Sequence, residues 1–186
     1  MAFLELTELK KIGLKKIGEN VKISDKAVFY NPSQIEIDDF SRIDDFAVIS
    51  AGTGGIKIGK NVHIAVFCSL MGMGKIELQD FSGLSSRVSI YSSSDDYSGN
   101  FLTNPTVSSE YTNVISGDVI LKKHVIVGVG SCILPNVIID EGSAIGAFSL
   151  VMKNVERNVI AAGVPAKKVK KRSEKIFELE KKFIKK

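Results

Sequence analysis

Large aliphatic residues recur at every sixth position along much of this chain. Ile37, Ile43 and Ile49 keep that spacing, as do Ile58, Ile64 and Leu70, then Leu78, Leu84 and Ile90. Leu121, Val127, Ile133, Ile139, Ile145 and Val151 continue it. A helix repeats near 3.6 residues and a single strand at 2, so neither alone gives six. A short fixed repeat of this kind predicts a parallel β-helix. Each hexad supplies one short strand and a corner, and three hexads close one triangular coil. A smaller residue stands four places after the large one at Ser41, Ala47, Val62, Cys68, Ser131, Ser143 and Ser149. Large and small inward side chains then alternate and fill a narrow prism. Glycine or an acidic residue often follows the large one: Asp38, Asp44, Gly59, Asp140 and Gly146. These types suit tight corners. Strands of a sandwich keep no fixed period over so many turns.

Departures from the beat divide a single domain into parts. Residues 1–20 read as an N-terminal cap. Leu4, Leu6, Leu9, Ile12 and Leu14 give residues 3–17 a helical spacing that ends near Gly13. A cap is expected because an open β-helix end exposes unpaired strand edges. The coils occupy residues 21–164. Residues 52–55 and 71–74 each add length at a corner, one coil apart, and are predicted to stack. Residues 92–113 are polar, contain Pro105 and lose the beat entirely. A long loop extruded from a regular prism is rarely filler. Residues 165–186 form a basic tail. From Lys171 on it places Ile176, Leu179 and Phe183 on one face of an amphipathic helix.

Composition narrows the classes. The chain has 186 residues, 44% of them hydrophobic, and a net charge of +4. It is therefore globular and large enough for a real core. Much of the positive excess sits in lysines near the two ends. A basic tail is more often a solvated helix face than a nucleic-acid or lipid contact, so neither partner is expected. There is no apolar run long enough to span a membrane and no signal-peptide core, which points to the cytoplasm. The two cysteines suggest neither a disulfide nor a metal framework. Cys68 falls on an inward position. Two histidines are too few for the outward ligand sets of zinc-binding β-helices, so no metal is expected. Val66, Val88, Ile126 and Val129 are placed outward, as apolar spots that suit a neighbouring subunit.

The hexads, the extruded loop and the segment AAGVPAKKVKKR together resemble the hexapeptide-repeat acyltransferases. The nearest likeness is to the maltose and galactoside acetyltransferases and the sugar acetyltransferases of surface polysaccharide (lipopolysaccharide) synthesis. The resemblance implies a left-handed coil, a homotrimer with active sites between adjacent prisms, and acetyl-CoA as co-substrate. Gly128, Gly146 and Ala147 match the small positions lining the coenzyme groove. Ala162 and Gly163 match the terminal turn near the adenine. Lys153, Lys167 and Lys170 match basic positions facing the phosphates, where lysine acts as a point charge.

Transfer to a hydroxyl needs a general base, and histidine suits neutral pH. In the maltose and galactoside branch the catalytic histidine opens the extruded loop. The matching stretch here is Ile90-Tyr91-Ser92-Ser93-Ser94-Asp95, so Asp95 occupies that position and Asp96 follows. His63 points outward, because Ile58 and Val62 point inward, and it matches an acceptor-contacting position. The expectation is therefore His63 as general base, with Asp95 or Asp96 orienting it from across a groove or holding the sugar. Asp96, Tyr97 and Asn104 are candidate sugar-binding residues. His124 reads as a surface histidine. The leading functional expectation is an acetyl-CoA-dependent sugar O-acetyltransferase acting on a surface-polysaccharide sugar or its precursor. The alternative is N-acetylation of a nucleotide-linked amino sugar, since an amine asks less of a base and paired aspartates suit an ammonium. A non-catalytic β-helix would not need the AAGVPAKKVKKR terminus.

Overall fold

In the computed structural model, residues 2–185 are described. Strands of two to four residues stack into three parallel faces of a prism. The first face runs from Lys16–Ile17 through Ile35–Ile37, Ile56–Ile58, Ile76–Leu78 and Val119–Leu121 to Val137–Ile139. The second contains Lys22–Ile23, Arg42–Ile43, His63–Ile64, Gly83–Leu84, Ile126–Val127, Ala144–Ile145 and Val159–Ala162. The third contains Val28–Tyr30, Val48–Ala51, Ser69–Gly72, Ser89–Tyr91, Cys132–Ile133 and Leu150–Val151.

The six-residue beat becomes register. Ile23, Ile43, Ile64, Leu84, Val127 and Ile145 form one column of paired positions on the second face. Phe29, Ile49, Leu70, Ile90, Ile133 and Val151 form the matching column on the third. Most of these side chains have no exposed surface, so each contributes about 1.5–3 kcal/mol by leaving water. Ser41, Ser131, Ser143 and Ser149 bond backbone carbonyls instead of each other, whereas Ser82 Oγ is buried with no partner among the described residues. Ser41 Oγ donates to the Gly59 carbonyl at 2.6 Å, and Ser131 Oγ to that of Gly146 at 2.9 Å. A buried hydroxyl without a partner is costly. Val88 belongs to this inward set and is fully buried. It stands four places after Leu84, so the beat itself places it inside, against its outward assignment. Ile126 is exposed, and Val66 and Val129 are half-buried.

The corners use left-handed backbone. Phe40, Phe46, Phe67, Phe81 and Phe148 all have φ between 53° and 61°. Such a conformation is strained for a bulky residue. Ring stacking offsets part of that cost: Phe46 lies on Phe67 at 5.1 Å, with the Arg87 guanidinium 5.5 Å above Phe67. On the first face the outward positions alternate in charge, Lys16, Glu36, Lys57, Glu77, each opposite the next.

Both ends of the prism are closed by reversed chain. At the start, the Leu4 amide donates to the Ile23 carbonyl at 2.9 Å, and Phe3 bridges Ser24 antiparallel. The N-terminal helix α1 covers only Leu6–Lys11, shorter than the expected 3–17. Gly13 then takes φ +79°, and Lys16–Ile17 already belong to the first face, inside the segment read as cap. At the far end Lys167–Lys171 forms a strand antiparallel to Val159–Ala162. The basic tail is therefore part strand. Only Lys175–Ile184 is helix, α2.

α2 lies over one corner of the prism. His124 Nε2 stands 2.7 Å from Glu180 Oε2 while its ring stacks on Phe81 at 5.1 Å. Lys123 Nζ donates to Glu180 Oε1 at 2.6 Å. Arg172 Nη1 donates to the carbonyls of His124, Gly142 and Ser143 at 2.9–3.1 Å. His124 is thus a packed anchor, its side chain 10% exposed, and not the surface histidine expected from spacing.

Candidate active site

The two corner insertions stack as predicted: the Gly52 amide donates to the Gly72 carbonyl at 3.0 Å and that of Gly54 to Met73 at 2.9 Å. The loop leaves the third face beside them. Its base is a short hairpin, Ser93–Ser94 against Ile115–Ser116, so the excursion runs slightly past residue 113. Gly72 is required there. Its φ is +138°, and a Cβ would lie 2.4 Å from Ser92 Oγ. Corner and hairpin can therefore close on each other, and between them they enclose a cavity of about 630 Å³. Such a volume is typical of small-molecule sites.

Asp95 and Asn104 both line this cavity. Among the described residues the Asp95 carboxylate makes no hydrogen bond or ion pair. All other aspartates do: Asp38 with Lys16, Asp39 with Lys60, Asp45 with Ser24, Asp80 with the Lys60 amide and Asp118 with the Lys75 amide are examples. The Asn104 Oδ1 accepts from the Thr106 amide at 3.1 Å and from its hydroxyl, which fixes the side chain locally. Asp96 does a different job. It accepts from the Ser98 amide at 2.7 Å and Asn113 Nδ2 at 2.8 Å, stapling the two arms of the loop. Donors from Ser98, then Asn113, hold its carboxyl below the usual aspartate range. Tyr97 is 91% exposed and does not line the cavity.

His63 lies on the second face, opposite Arg42 and Gly83 in the neighbouring strands. Its Nε2 stands 2.9 Å from Asp44 Oδ2, and Arg42 Nε donates to Asp44 Oδ1 at 2.6 Å. A carboxylate only accepts, so Nε2 carries the proton and Nδ1 faces away. Within one prism the carboxylate that orients His63 is therefore Asp44, 5% exposed, and not Asp95 or Asp96. Sequence reasoning passed over Asp44 because acidic residues follow so many hexad positions. Its signal was that it lies one coil from the outward His63.

The expected coenzyme positions gather on the far coils. The Gly128 amide donates to Ile145 and the Gly146 amide to Ala161, both at 2.8 Å. A Cβ on Gly128 would lie 2.5 Å from the Ala147 nitrogen, and one on Gly146 2.8 Å from Ala162 Cβ. These four residues form a column with almost no side-chain bulk. Gly163 turns the chain at φ +103°. Lys167 then pairs with Ala162, and Lys170 with Ile160. Lys153 is exposed and is joined to this edge by no such pairing. Among the described residues Lys153, Lys167 and Lys170 make no ion pair, whereas Lys168 pairs with Glu156 at 2.7 Å. No group of three or more His, Cys, Asp or Glu among the described residues could hold a metal. No helix is long and apolar enough to cross a membrane.

No family model matches the sequence. Full-length relatives do. The chain is 54% identical over 183 residues to the dTDP-4-amino-4,6-dideoxy-D-glucose acyltransferase of Escherichia coli, spanning 98% of this chain and 95% of that one. It superposes with a TM-score of 0.96 and 47% identity on AntD, an N-acyltransferase from Bacillus cereus solved with dTDP and coenzyme A, over 100% of this chain and 99% of AntD. A maltose O-acetyltransferase from Clostridium difficile shares the fold at a TM-score of 0.61 and 20% identity, over 90% of this chain and 75% of the other. With a repeat-built prism, a bare column of small residues and relatives of this identity along nearly its whole length, the chain belongs to the hexapeptide-repeat acyltransferases.

Proposed function

We propose that the protein transfers an acyl group from coenzyme A to the amino group of a nucleotide-linked 4-amino-4,6-dideoxy sugar. The observation that carries this reading is Asp95: an unpaired carboxylate on the wall of the cavity, where the related O-acetyltransferases place histidine. A carboxylate is poorly suited to activate a hydroxyl at neutral pH, but it pairs well with an ammonium. The leading expectation of O-acetylation therefore gives way to its alternative. The relatives support the same choice, because the Escherichia coli enzyme and AntD are named for an amino sugar and for N-acyl transfer. The solved AntD variants change an aspartate and a serine ten residues before it. Here Asp95 and Asp96 each have a serine at that spacing, Ser85 and Ser86, just beyond Gly83–Leu84 on the second face.

The chemistry follows from these placements. Asp95 orients the acceptor nitrogen. The ammonium first gives up one proton to water, and the freed nitrogen lone pair then attacks the thioester carbonyl, the new N–C bond forming as the carbonyl electrons move to oxygen. Collapse breaks the C–S bond and expels the coenzyme thiolate. The positive charge that grows on nitrogen is balanced by Asp95, which receives the proton. No histidine base is required, so His63, locked by Asp44, becomes an acceptor-side binding residue. The bare column at Gly128, Gly146, Ala147 and Ala162 admits the coenzyme arm, with Gly163 at the terminal turn. Lys167 and Lys170, with Lys153, supply charge for its phosphates. A trimer brings the second face of one prism to the loop of the next. Surface-polysaccharide precursor synthesis in the cytoplasm fits a nucleotide-linked acceptor.

Thiol release from acetyl-CoA tests the reading, with dTDP-4-amino-4,6-dideoxyglucose set against free and nucleotide-linked sugars that carry only hydroxyls. Turnover restricted to the amino sugar is expected. Turnover on the hydroxyl acceptors alone would overturn the proposal.

A further inference from the structure

The walls around Asp95 are not uniformly polar. The hairpin register pairs Ser94 with Ile115, which sets Val114 opposite Asp95. From the corner, the Met73 amide donates to Ser93 Oγ at 3.2 Å, which fixes Met73 beside the same strand. Met73 and Val114 both line the cavity and are 48% and 50% exposed. Met71 and Val107 also line the cavity, as do the polar Asn104 and Ser94.

We infer that Met73 and Val114 form a recess for the C6 methyl group of the acceptor, and so select 6-deoxy amino sugars over their 6-hydroxy counterparts. This rests on the reading of the site as one for a 4-amino sugar. The step from nitrogen to methyl is covalent geometry: the amino group is on C4 and C6 is on the adjacent C5. A sugar whose nitrogen meets Asp95 places C6 on one flank of that carboxylate and its C3 hydroxyl on the other, and an apolar flank suits the methyl group. Val114 stands across the hairpin from Asp95, and Met73 lines the same cavity two residues along, beside Ser93. A methyl group placed against them covers apolar surface and leaves water, which favours binding. A hydroxymethyl group in the same place leaves its hydroxyl without a donor or acceptor. An apolar pocket rejects an added hydroxyl only moderately, by up to about 100-fold.

The test compares kcat/KM with acetyl-CoA for dTDP-4-amino-4,6-dideoxyglucose and for dTDP-4-amino-4-deoxyglucose, which differs by the one hydroxyl. Wild type is expected to favour the deoxy sugar by roughly 10- to 100-fold. Val114→Thr keeps the shape of valine and adds a hydroxyl, and Met73→Gln adds an amide. Each is expected to shrink the ratio several-fold while coenzyme A still raises the melting temperature, which confirms a folded protein with its donor site intact. Equal rates on the two amino sugars in wild type, or a ratio unmoved by both substitutions, overturn the methyl recess and leave amino-sugar transfer standing. Transfer to neither amino sugar sinks the underlying reading as well.

Discussion

Two adjacent aspartates of the same loop have opposite surroundings, and the difference is testable residue by residue. Asp95 has no partner within the described chain, whereas Asp96 is held by Ser98 and Asn113. Asp95→Asn should leave thermal stability unchanged and lower kcat/KM for the amino sugar by at least ~100-fold, measured by thiol release. Asp96→Ala should instead loosen the loop, which limited proteolysis within residues 97–113 would register. The sequence marked the pair as important but not their division of labour, because that depends on where each side chain turns at the base of a hairpin. Asp44 was hidden for a related reason: its role lies in Arg42 on its own coil and His63 on the next one. The cysteines carry a simpler expectation. Burial pushes the Cys68 thiol up to about 11. At pH 8 only about one in a thousand such thiols is ionised, so Cys68 should resist a disulfide reagent until the protein unfolds. Rapid modification of Cys68 in the native protein would contradict its inward placement.

Among the elements, α2 is attached through aromatic contacts of Phe177 and Phe183 and through one carboxylate, Glu180. Burial opposes ionisation of Glu180, but donors from Lys123 and His124 outweigh it and hold its pKa below the usual glutamate value of 4.5. A carboxylate depressed in the folded state stabilises docking fully above its unfolded pKa, and the contribution is lost as pH falls through the folded value. α2 should therefore stay docked above pH 4.5 and loosen below it. Amide exchange across Lys175–Ile184, compared at pH 6 and pH 4 after correction for intrinsic rates, measures this. Protection that is the same at both would show that the aromatic contacts alone hold the helix. The amphipathic spacing of Ile176, Leu179 and Phe183 made the helix legible in the sequence. Its seat was not, because His124 meets Glu180 across 56 residues of chain. The strand Lys167–Lys171 was hidden too: lysine favours helix and is depleted in strands, and the open edge at Val159–Ala162 recruits it nonetheless.

At the scale of the molecule, the six-residue beat made the prism legible because each position must be inward or outward in every coil. A missing beat was equally informative and located the loop. What spacing could not convey was the arrangement of three faces around an axis, which places His63 and the loop aspartates apart within one prism. The reversed strand at the far end has a further consequence. A stack of identical coils has no intrinsic length: its last rung is a template for another, whether from the same chain or from a different molecule. Here both terminal rungs are occupied by chain running the wrong way, and the outer one carries Lys167, Lys168, Lys170 and Lys171. Addition of a second prism would have to displace that strand and bring its charges together. Removing residues 165–186 should therefore turn a bounded particle into one that grows, and sedimentation of the shortened chain would show concentration-dependent filaments where the full chain keeps a fixed mass. The lysines read as a coenzyme clamp would then also be the reason the molecule has an end.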